Sequence, residues 1–332
     1  MKLEVWKFGG ASLADGRAIA AAADRIAAHR GPLVVVASAL AGVTDLLLQS
    51  TPDAAERFAR KHQQAARVLL GNSASYRELA RVIDQSAGEY RDICAAIDAI
   101  GHLGLRGQDA LVARGERVSA QLLAAAVARL KRRASYIDAI EIIETDGEHG
   151  GATPKLDETA SRARAVVSPA LKAGAIVIVP GFIGRAPDGS VATLGRGGSD
   201  LTATVLARSL GAQRVVLWKD VPGILTADPR IVPDARLIPQ LHHREAAEVA
   251  HYGAKVLHPR ALIPIAGTRI TLHVRSFIHP EQPGTEVSAK RPDTTYPVKA
   301  IAIVRGQAIV TVAGKGMVGV HGIAARTFVA VD

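Results

Sequence analysis

Aromatic residues make up only 4% of this 332-residue chain, and cysteine occurs once, as Cys94. A single cysteine excludes a disulfide framework and suits a reducing compartment. Sparse aromatics exclude the stacking platform of RNA-binding modules and leave an aliphatic, alanine-rich core. No apolar run is long enough to span a bilayer. The amino terminus, MKLEVWKFGG, enters a strand pattern at once with no signal peptide, so a cytoplasmic location and no membrane partner are expected. The phosphate-loop pattern GxxxxGK[ST] is missing, and no GxGxxG follows the first strand pattern, which argues against the common nucleotide and dinucleotide folds. His242, His243 and His251 lie in the stretch HHREAAEVAH, but their spacing gives no ligand pair with a third partner, so no metal centre is read from them.

What is present is enough apolar material for a sizeable core, at 48% hydrophobic residues. The net charge of +10 could serve nucleic acid, and a steep salt dependence of DNA binding would be its mark. The Lys and Arg residues are scattered, however, and often stand on helix faces near Asp or Glu. A solvated basic surface that favours anionic substrates is the preferred reading, with no nucleic-acid partner.

The periodicity predicts strands at Leu3–Lys7, Leu33–Ala37, Ala134–Ala139, Ala175–Val179, Val215–Trp218 and Ile270–Val274, with Ile140–Ile143 a further short one. Helices are expected over Arg17–Arg30, Ser161–Lys172, Leu201–Leu210, His243–Tyr252 (with Gly253 just past its end) and Pro259–Ala266. Ala54 to about Leu130 reads as mostly helical, with breaks near Gly71–Ser75 and Gly101–Gly107. Cys94, on an apolar helical stretch there, reads as packing. Apolar strands alternating with helices point to an α/β fold, a three-layer αβα sandwich with a mainly parallel central sheet. Ligands of such sheets gather at the carboxyl ends of the strands. The polar loop Thr145–Leu156 is of the kind that lies over a site. His279–Pro297 reads as a linker between a domain at 1–278 and a second segment at 298–332. That second segment has alternating patterns at Val298–Val304 and Ala308–Ala313 and an apolar helical stretch ending at Asp332. It is too short to close a core of its own, so the chain is expected to stop partway through a small domain.

The most informative stretch is Thr193–Thr204, TLGRGGSDLTAT, read as a glycine-rich loop between a strand and a helix closed by Gly211. Gly195, Gly197 and Gly198 permit close approach to the backbone, and a helix amino terminus directs partial positive charge at an anion. Arg196 offers a planar fork for a carboxylate or phosphate. Asp200 beside a phosphate would repel it, which implies a lysine or a metal ion between them. The alternative is a tight turn with Ser199 as the helix N-cap; from this loop alone both readings stand. A second glycine loop, Ser38–Thr44, follows another strand, with Thr44 a natural N-cap.

Seven blocks, in order, carry a resemblance. They are KFGGAS at Lys7–Ser12, SALAGVTDLL at Ser38–Leu47, ARGERVSAQLL at Ala113–Leu123, GFIG at Gly181–Gly184, TLGRGGSDLTA at Thr193–Ala203, DVPGILTADPR at Asp220–Arg230 and GAKVLHPRA at Gly253–Ala261. Together they resemble the aspartate kinases of the amino-acid kinase family, over residues 1 to about 276. The tail from Val298 resembles the start of the ACT-type regulatory domain of those enzymes, and GKGMVGVHGIAARTF is like that of fused bifunctional forms. The chain departs from the family pattern at Ala11, usually Thr, and at Lys219, usually Thr or Ser.

The resemblance implies transfer of the γ-phosphoryl group of ATP to the side-chain carboxylate of L-aspartate, with Mg²⁺. It implies Lys7 as the cation over the transferring phosphoryl, with Asp200 ordering Lys7 or Mg²⁺. Arg196 would bind the α-carboxylate of aspartate, Glu116 its ammonium, and Ser38, Thr44 and Ser199 would supply neutral donors. Lys7, Phe8, Gly9, Gly10, Lys219, Asp220, Leu225, Arg230, Lys255 and Val256 would bind the nucleotide. A homo-oligomer, formed through a complete regulatory region, is the implied assembly. Members of the fold acting on glutamate, acetylglutamate or a nucleotide would not be expected to carry the RGGSD, GER and ADPR elements together. A non-catalytic sensor of ATP and amino acid would be marked by loss of Lys7, Asp200 or Lys255, and all three are present.

Overall fold

The computed structural model describes residues 2–101, 104–251, 256–290, 298–304, 306, 308, 309, 311 and 322–331. The first half runs β1 (Glu4–Phe8), α1 (Gly16–Ala28), β2 (Leu33–Ala37), α2 (Val43–Leu47), α3 (Pro52–Leu70), α4 (Ala74–Ile100) and α5 (Leu105–Arg129). Its caps explain its boundaries. The Asp15 side chain accepts from the backbone N–H groups of Arg17 and Ala18, starting α1. Thr51 caps α3 with Pro52 in its first turn, and Ser73 caps α4. The two predicted breaks thus fall where expected, at 71–73 and 101–104.

β3 (Ala134–Tyr136), α6 (Leu156–Lys172), β4 (Ile176–Pro180), β5 (Ile183–Arg185), β6 (Val191–Thr193), α7 (Gly198–Leu210) and β7 (Arg214–Lys219) follow. β8 (Gln240–His242), α8 (His243–His251), β9 (Thr271–Ser276), β10 (Thr285–Ser288) and α9 (Ile323–Val331) complete the order. Among the described residues eight strands make one sheet, in the order β3-β4-β2-β1-β7-β9-β10-β8. Its pairings are parallel except β9 with β10. β5 and β6 form a separate antiparallel pair.

The sheet separates two cores, as the period of two along each strand requires. Trp6, Phe8, Val35, Ile178 and Trp218 point to the side packed by α1, α3, α4 and α5. Val5, Val36, Val179, Leu217 and Val274 point to the side packed by α6, α7 and α8. The expected three-layer αβα architecture is therefore present. Among the described residues no helix is long and apolar enough to cross a membrane.

Several local expectations are corrected. Ile140–Ile143 is not a strand; a 3₁₀ turn occupies Ala139–Glu141, capped by the Asp138 side chain. The central strand at 176–180 does not lead straight into the glycine loop, because the β5–β6 hairpin intervenes. β8 has no counterpart among the expected strands. The span read as a linker, 279–297, carries β10, whose Val287 is wholly buried against the β9 side of the core. Polar residues at 279–284 form the turn that returns the chain to the sheet, and that turn chemistry imitates a linker. The pattern at Val298–Val304 forms no strand. Ala308–Ala313, Gly314–Met317 and Gly253 lie wholly or partly outside the described residues. The chain divides into two units, Met1–Ala302 and Ile303–Asp332, the second containing α9.

Candidate active site

A cleft of about 1130 Å³ opens at the carboxyl ends of β1, β2, β4 and β7. It is built from the loops after those strands, the start of α7 and one position of α5. Lys7, Gly10, Ser38, Thr44, Glu116, Arg196, Ser199, Asp200 and Lys219 all line it. Residues from six of the seven sequence blocks meet here, from the first strand to the segment around His258.

Asp200 is the organising charge. It sits in the first turn of α7 and is 4% exposed. Lys7 Nζ lies 2.7 Å from its Oδ1, and Lys219 Nζ donates to its Oδ2 at 2.6 Å. Burial alone would raise the Asp200 carboxyl, but Lys7 and Lys219 outweigh it and hold it down at about 2. Burial pushes the Lys7 ammonium below its ordinary value; Asp200 opposes that shift and Lys219 adds to it. Asp200 thus gains from two cations, whereas Lys7 feels Lys219 as a cation and Asp200 and, more weakly, Glu116 as anions. Lys7 and Asp200, named together from the sequence, thus form a buried ion pair.

Glu116 is the second buried acid, 3% exposed on α5. Its Oε1 accepts from the backbone N–H of Ala39 at 3.4 Å, while its Oε2 is buried without a hydrogen-bond partner. Burial lifts its carboxyl to about 7. The neighbouring Gly115 makes this placement possible. A Cβ there would stand 3.0 Å from both the Ala39 and Val43 side chains, so a larger residue would press α5 away from the loop after β2.

The glycine loop has a different N-cap from the one expected. Gly197, at φ +75°, begins α7, and Ser199 lies inside the helix. A Cβ on Gly197 would fall 2.5 Å from His258 Cβ, so this position tolerates neither the conformation nor the bulk of another residue. Thr44 is likewise inside α2, whose N-cap is Gly42. In both loops a left-handed glycine turns the chain. The hydroxyls read as caps are thereby freed to line the cleft.

The loop Thr145–Leu156 does not line the cleft; it braces the glycine loop from behind. Buried Asp109 accepts from Gly150 N at 3.1 Å, meets His149 Nδ1 at 2.8 Å and accepts from the Thr193 hydroxyl. Arg260 donates to the carbonyls of Leu194 at 2.7 Å and Ala152 at 3.0 Å. Arg196 itself is exposed at the mouth of the cleft and has no ion pair with a described residue.

The remaining expectations divide. Phe8 is wholly buried and stacks on Trp218 at 6.1 Å, so its side chain belongs to the core and not to a ligand. Gly9 lies against Lys7: a Cβ there would be 3.4 Å from Nζ. Asp220 is exposed, Leu225 forms a β-bridge with Leu237, and Arg230 pairs with Asp228 in solvent. Neither these three nor Val256 lines the cleft. Lys255 lies outside the described residues. The sequence blocks contained Phe182 and His258, and His251 lies just before the last of them, but nothing marked the three as cleft residues. Phe182 adopts φ +69°, a conformation that no local signal in GFIG assigns to it rather than to a glycine. Burial, with Arg260 and Arg196 nearby, lowers the His258 imidazole below its ordinary value.

A model of the amino acid kinase family matches residues 2–276. Lysine-sensitive aspartokinase 3 of Escherichia coli (strain K12) is 34% identical over 330 residues, 98% of this chain and 73% of that protein. Chloroplastic aspartokinase 1 of Arabidopsis thaliana is 33% identical over 335 residues, 98% of this chain and 58% of that protein. Among solved structures, E. coli aspartokinase III in complex with aspartate and ADP aligns with a TM-score of 0.80 at 34% identity. That alignment covers 88% of this chain and 66% of the other. The chain therefore spans only part of the length of these relatives.

Proposed function

The chain belongs to the amino acid kinase family and is similar along nearly its whole length to aspartokinases, and from that premise we propose that it phosphorylates the β-carboxylate of L-aspartate with ATP. One observation carries the reading. A single cleft holds two lysines clamped on a buried aspartate and, on α5, a buried glutamate with an unpartnered oxygen. The first arrangement suits phosphoryl groups, and the second suits an ammonium.

The nucleophile is a carboxylate and is already ionised, so no general base is required. A β-carboxylate oxygen attacks the γ-phosphorus, the bond from that phosphorus to the β-bridging oxygen breaks, and ADP leaves. The obstacle is the meeting of two anions. Its solution is positioning together with fixed positive charge. Lys7, at the end of a buried parallel strand, is the cation over the transferring group. Glu116 Oε2 receives the substrate ammonium, and Arg196 the α-carboxylate. Ser38, Thr44 and Ser199 complete the polar wall. The nucleotide enters from the β7 side, past Lys219, with Lys255, Val256, Asp220, Leu225 and Arg230 assigned to its outer contacts. The segment 298–332 is assigned to an ACT-like regulatory region, through which two copies would pair.

The residues present do not make a protein-held Mg²⁺ site. Asp200 Oδ2 accepts from Lys219 and Oδ1 faces the Lys7 ammonium at 2.7 Å, and no cluster of three His, Cys, Asp or Glu among the described residues could hold a metal. The Mg²⁺ is assigned to the ATP phosphates, as part of the substrate.

Incubation with Mg-ATP, L-aspartate and hydroxylamine should give aspartyl hydroxamate, and glutamate in place of aspartate should not. A folded sample that binds no ATP would overturn the assignment.

Glu116 gives the reaction a pH dependence. Its carboxyl is lifted to about 7, so the free site loses its charge as the pH falls from 8 to 6, and the KM for aspartate should rise. Glu116→Gln should raise that KM about 10- to 100-fold and flatten its pH profile, because the charged hydrogen bond to the ammonium is gone. The effect on stability has the opposite sign. Ionising a carboxyl whose folded value exceeds its unfolded one opposes folding above about pH 7 and costs nothing below 4.5. The Gln variant should therefore melt no lower than the parent at pH 8. A lower melting temperature with an unchanged KM would assign Glu116 to structure instead.

A further inference from the structure

Lys219 is a charge that the reaction as written does not need. It stands where the resembled family usually has a neutral Thr or Ser. β7 runs parallel to β1 with Leu217 opposite Lys7, so Lys219, two residues further on, projects from the same face of the sheet as Lys7. That face is covered by α7, whose first turn presents Asp200 between the two ammonium groups, at 2.7 and 2.6 Å. All three side chains are largely shielded from water, at 8%, 6% and 18% exposure for Lys7, Asp200 and Lys219. A hydroxyl at 219 would leave one lysine balanced by one carboxylate. Lys219 leaves this trio with an excess of one positive charge; Glu116, the other acid of the cleft, acts on Lys7 only weakly and, on the kinase reading, is taken up by the substrate ammonium. Burying an uncompensated charge is costly, and an anionic ligand would relieve that cost. With an ammonium group facing each Asp200 oxygen, the floor offers ammonium donors rather than metal ligands.

We propose that Lys219 is a second phosphate-binding cation of this site, holding the terminal phosphate of ATP together with Lys7 and supporting nucleotide binding in the absence of a divalent metal. The proposal rests on the kinase reading, which places the phosphates at this end of the sheet. Lys219 neutralises one oxygen of Asp200, so the carboxylate draws less on Lys7, whose charge is left for the transferring group.

The test is calorimetric titration of ATP and ADP into the whole chain, in EDTA and with Mg²⁺, for the parent, Lys219→Thr and Lys219→Met. Both variants keep the Lys7–Asp200 pair, so both should fold, and thermal melts check this. Losing one charge-assisted contact should weaken metal-free ATP about 10- to 100-fold. Metal-free ADP should weaken about threefold or less, and Mg²⁺ should narrow the difference for ATP. In the hydroxamate reaction kcat should fall while the KM for aspartate stays unchanged. Unchanged metal-free ATP affinity overturns the proposal, as does an equal loss for ATP and ADP, which would mark Lys219 as a structural prop. The two readings fail separately. A parent that makes no aspartyl hydroxamate but shows the Lys219-dependent ATP binding overturns the kinase assignment alone. A parent that makes hydroxamate, with Lys219 variants that bind ATP normally, overturns this proposal alone. A parent that binds no nucleotide overturns both.

Discussion

Lys7→Ala should leave a folded protein that forms aspartyl hydroxamate about 10²–10³-fold more slowly than the parent. The loss comes from removing a fixed cation from the place where negative charge concentrates as two anions meet. Folding should survive for a reason specific to this chain. Asp200 would otherwise be a buried carboxylate stripped of its partner, but Lys219 remains on its second oxygen at 2.6 Å. The two measurements are the hydroxamate rate at saturating Mg-ATP and aspartate, and the thermal melt of the same sample. A variant that keeps more than about a tenth of the parent rate would remove Lys7 from its place over the phosphoryl group.

Asp200→Ala should lose both activity and stability, with about 3–5 kcal/mol lost from folding at pH 7. The substitution leaves two ammonium groups facing each other across the space that a carboxylate held, at 8% and 18% exposure. Neither can reach water fully, and each repels the other. The pH dependence carries a clear sign. The parent carboxyl is held at about 2, against an ordinary value of 3.8. Its contribution is therefore fully present above about pH 4 and is lost as the pH falls through 2. The difference in unfolding free energy between parent and variant should be constant from pH 5 to 8 and shrink below 4. Adding Lys219→Thr to Asp200→Ala should recover part of the lost stability, because one of the two repelling charges is gone. Denaturant melts of the three proteins decide this. A single variant as stable as the parent would mean that the lysines relax outward, and that the triad does not constrain the fold.

Much of the architecture was written in local patterns. Asp15, Thr51 and Ser73 stand at helix starts, Gly101 and Gly211 at ends, and the short branched runs LVVVA and IVIVP read as buried strands. Such signals act within a few residues, and the backbone obeys them nearly independently of the rest of the chain. The same locality misled where two structures share one chemistry. Ser199 and Thr44 are good N-caps by type, yet left-handed glycines two residues earlier took that position. The polar, proline-rich turn at 279–284 looks like the start of a linker, yet a strand of four residues follows it into the sheet.

The sequence by itself determined that this is an α/β chain with glycine loops after its strands. Its glycine loop also marked Arg196 and Asp200, and the resemblance of its blocks added Lys7 and Glu116. Tertiary structure alone decided which of them meet. Lys7, Asp200 and Lys219 lie almost 200 and 20 residues apart in the chain, and no periodicity relates them. They converge because β1 and β7 pair in one particular register and α7 packs its first turn over both strand ends. That register is set by burial of Val5, Val215 and Leu217 on one face and Trp6, Phe8 and Trp218 on the other, where a slip of one residue would turn every side chain to the wrong core.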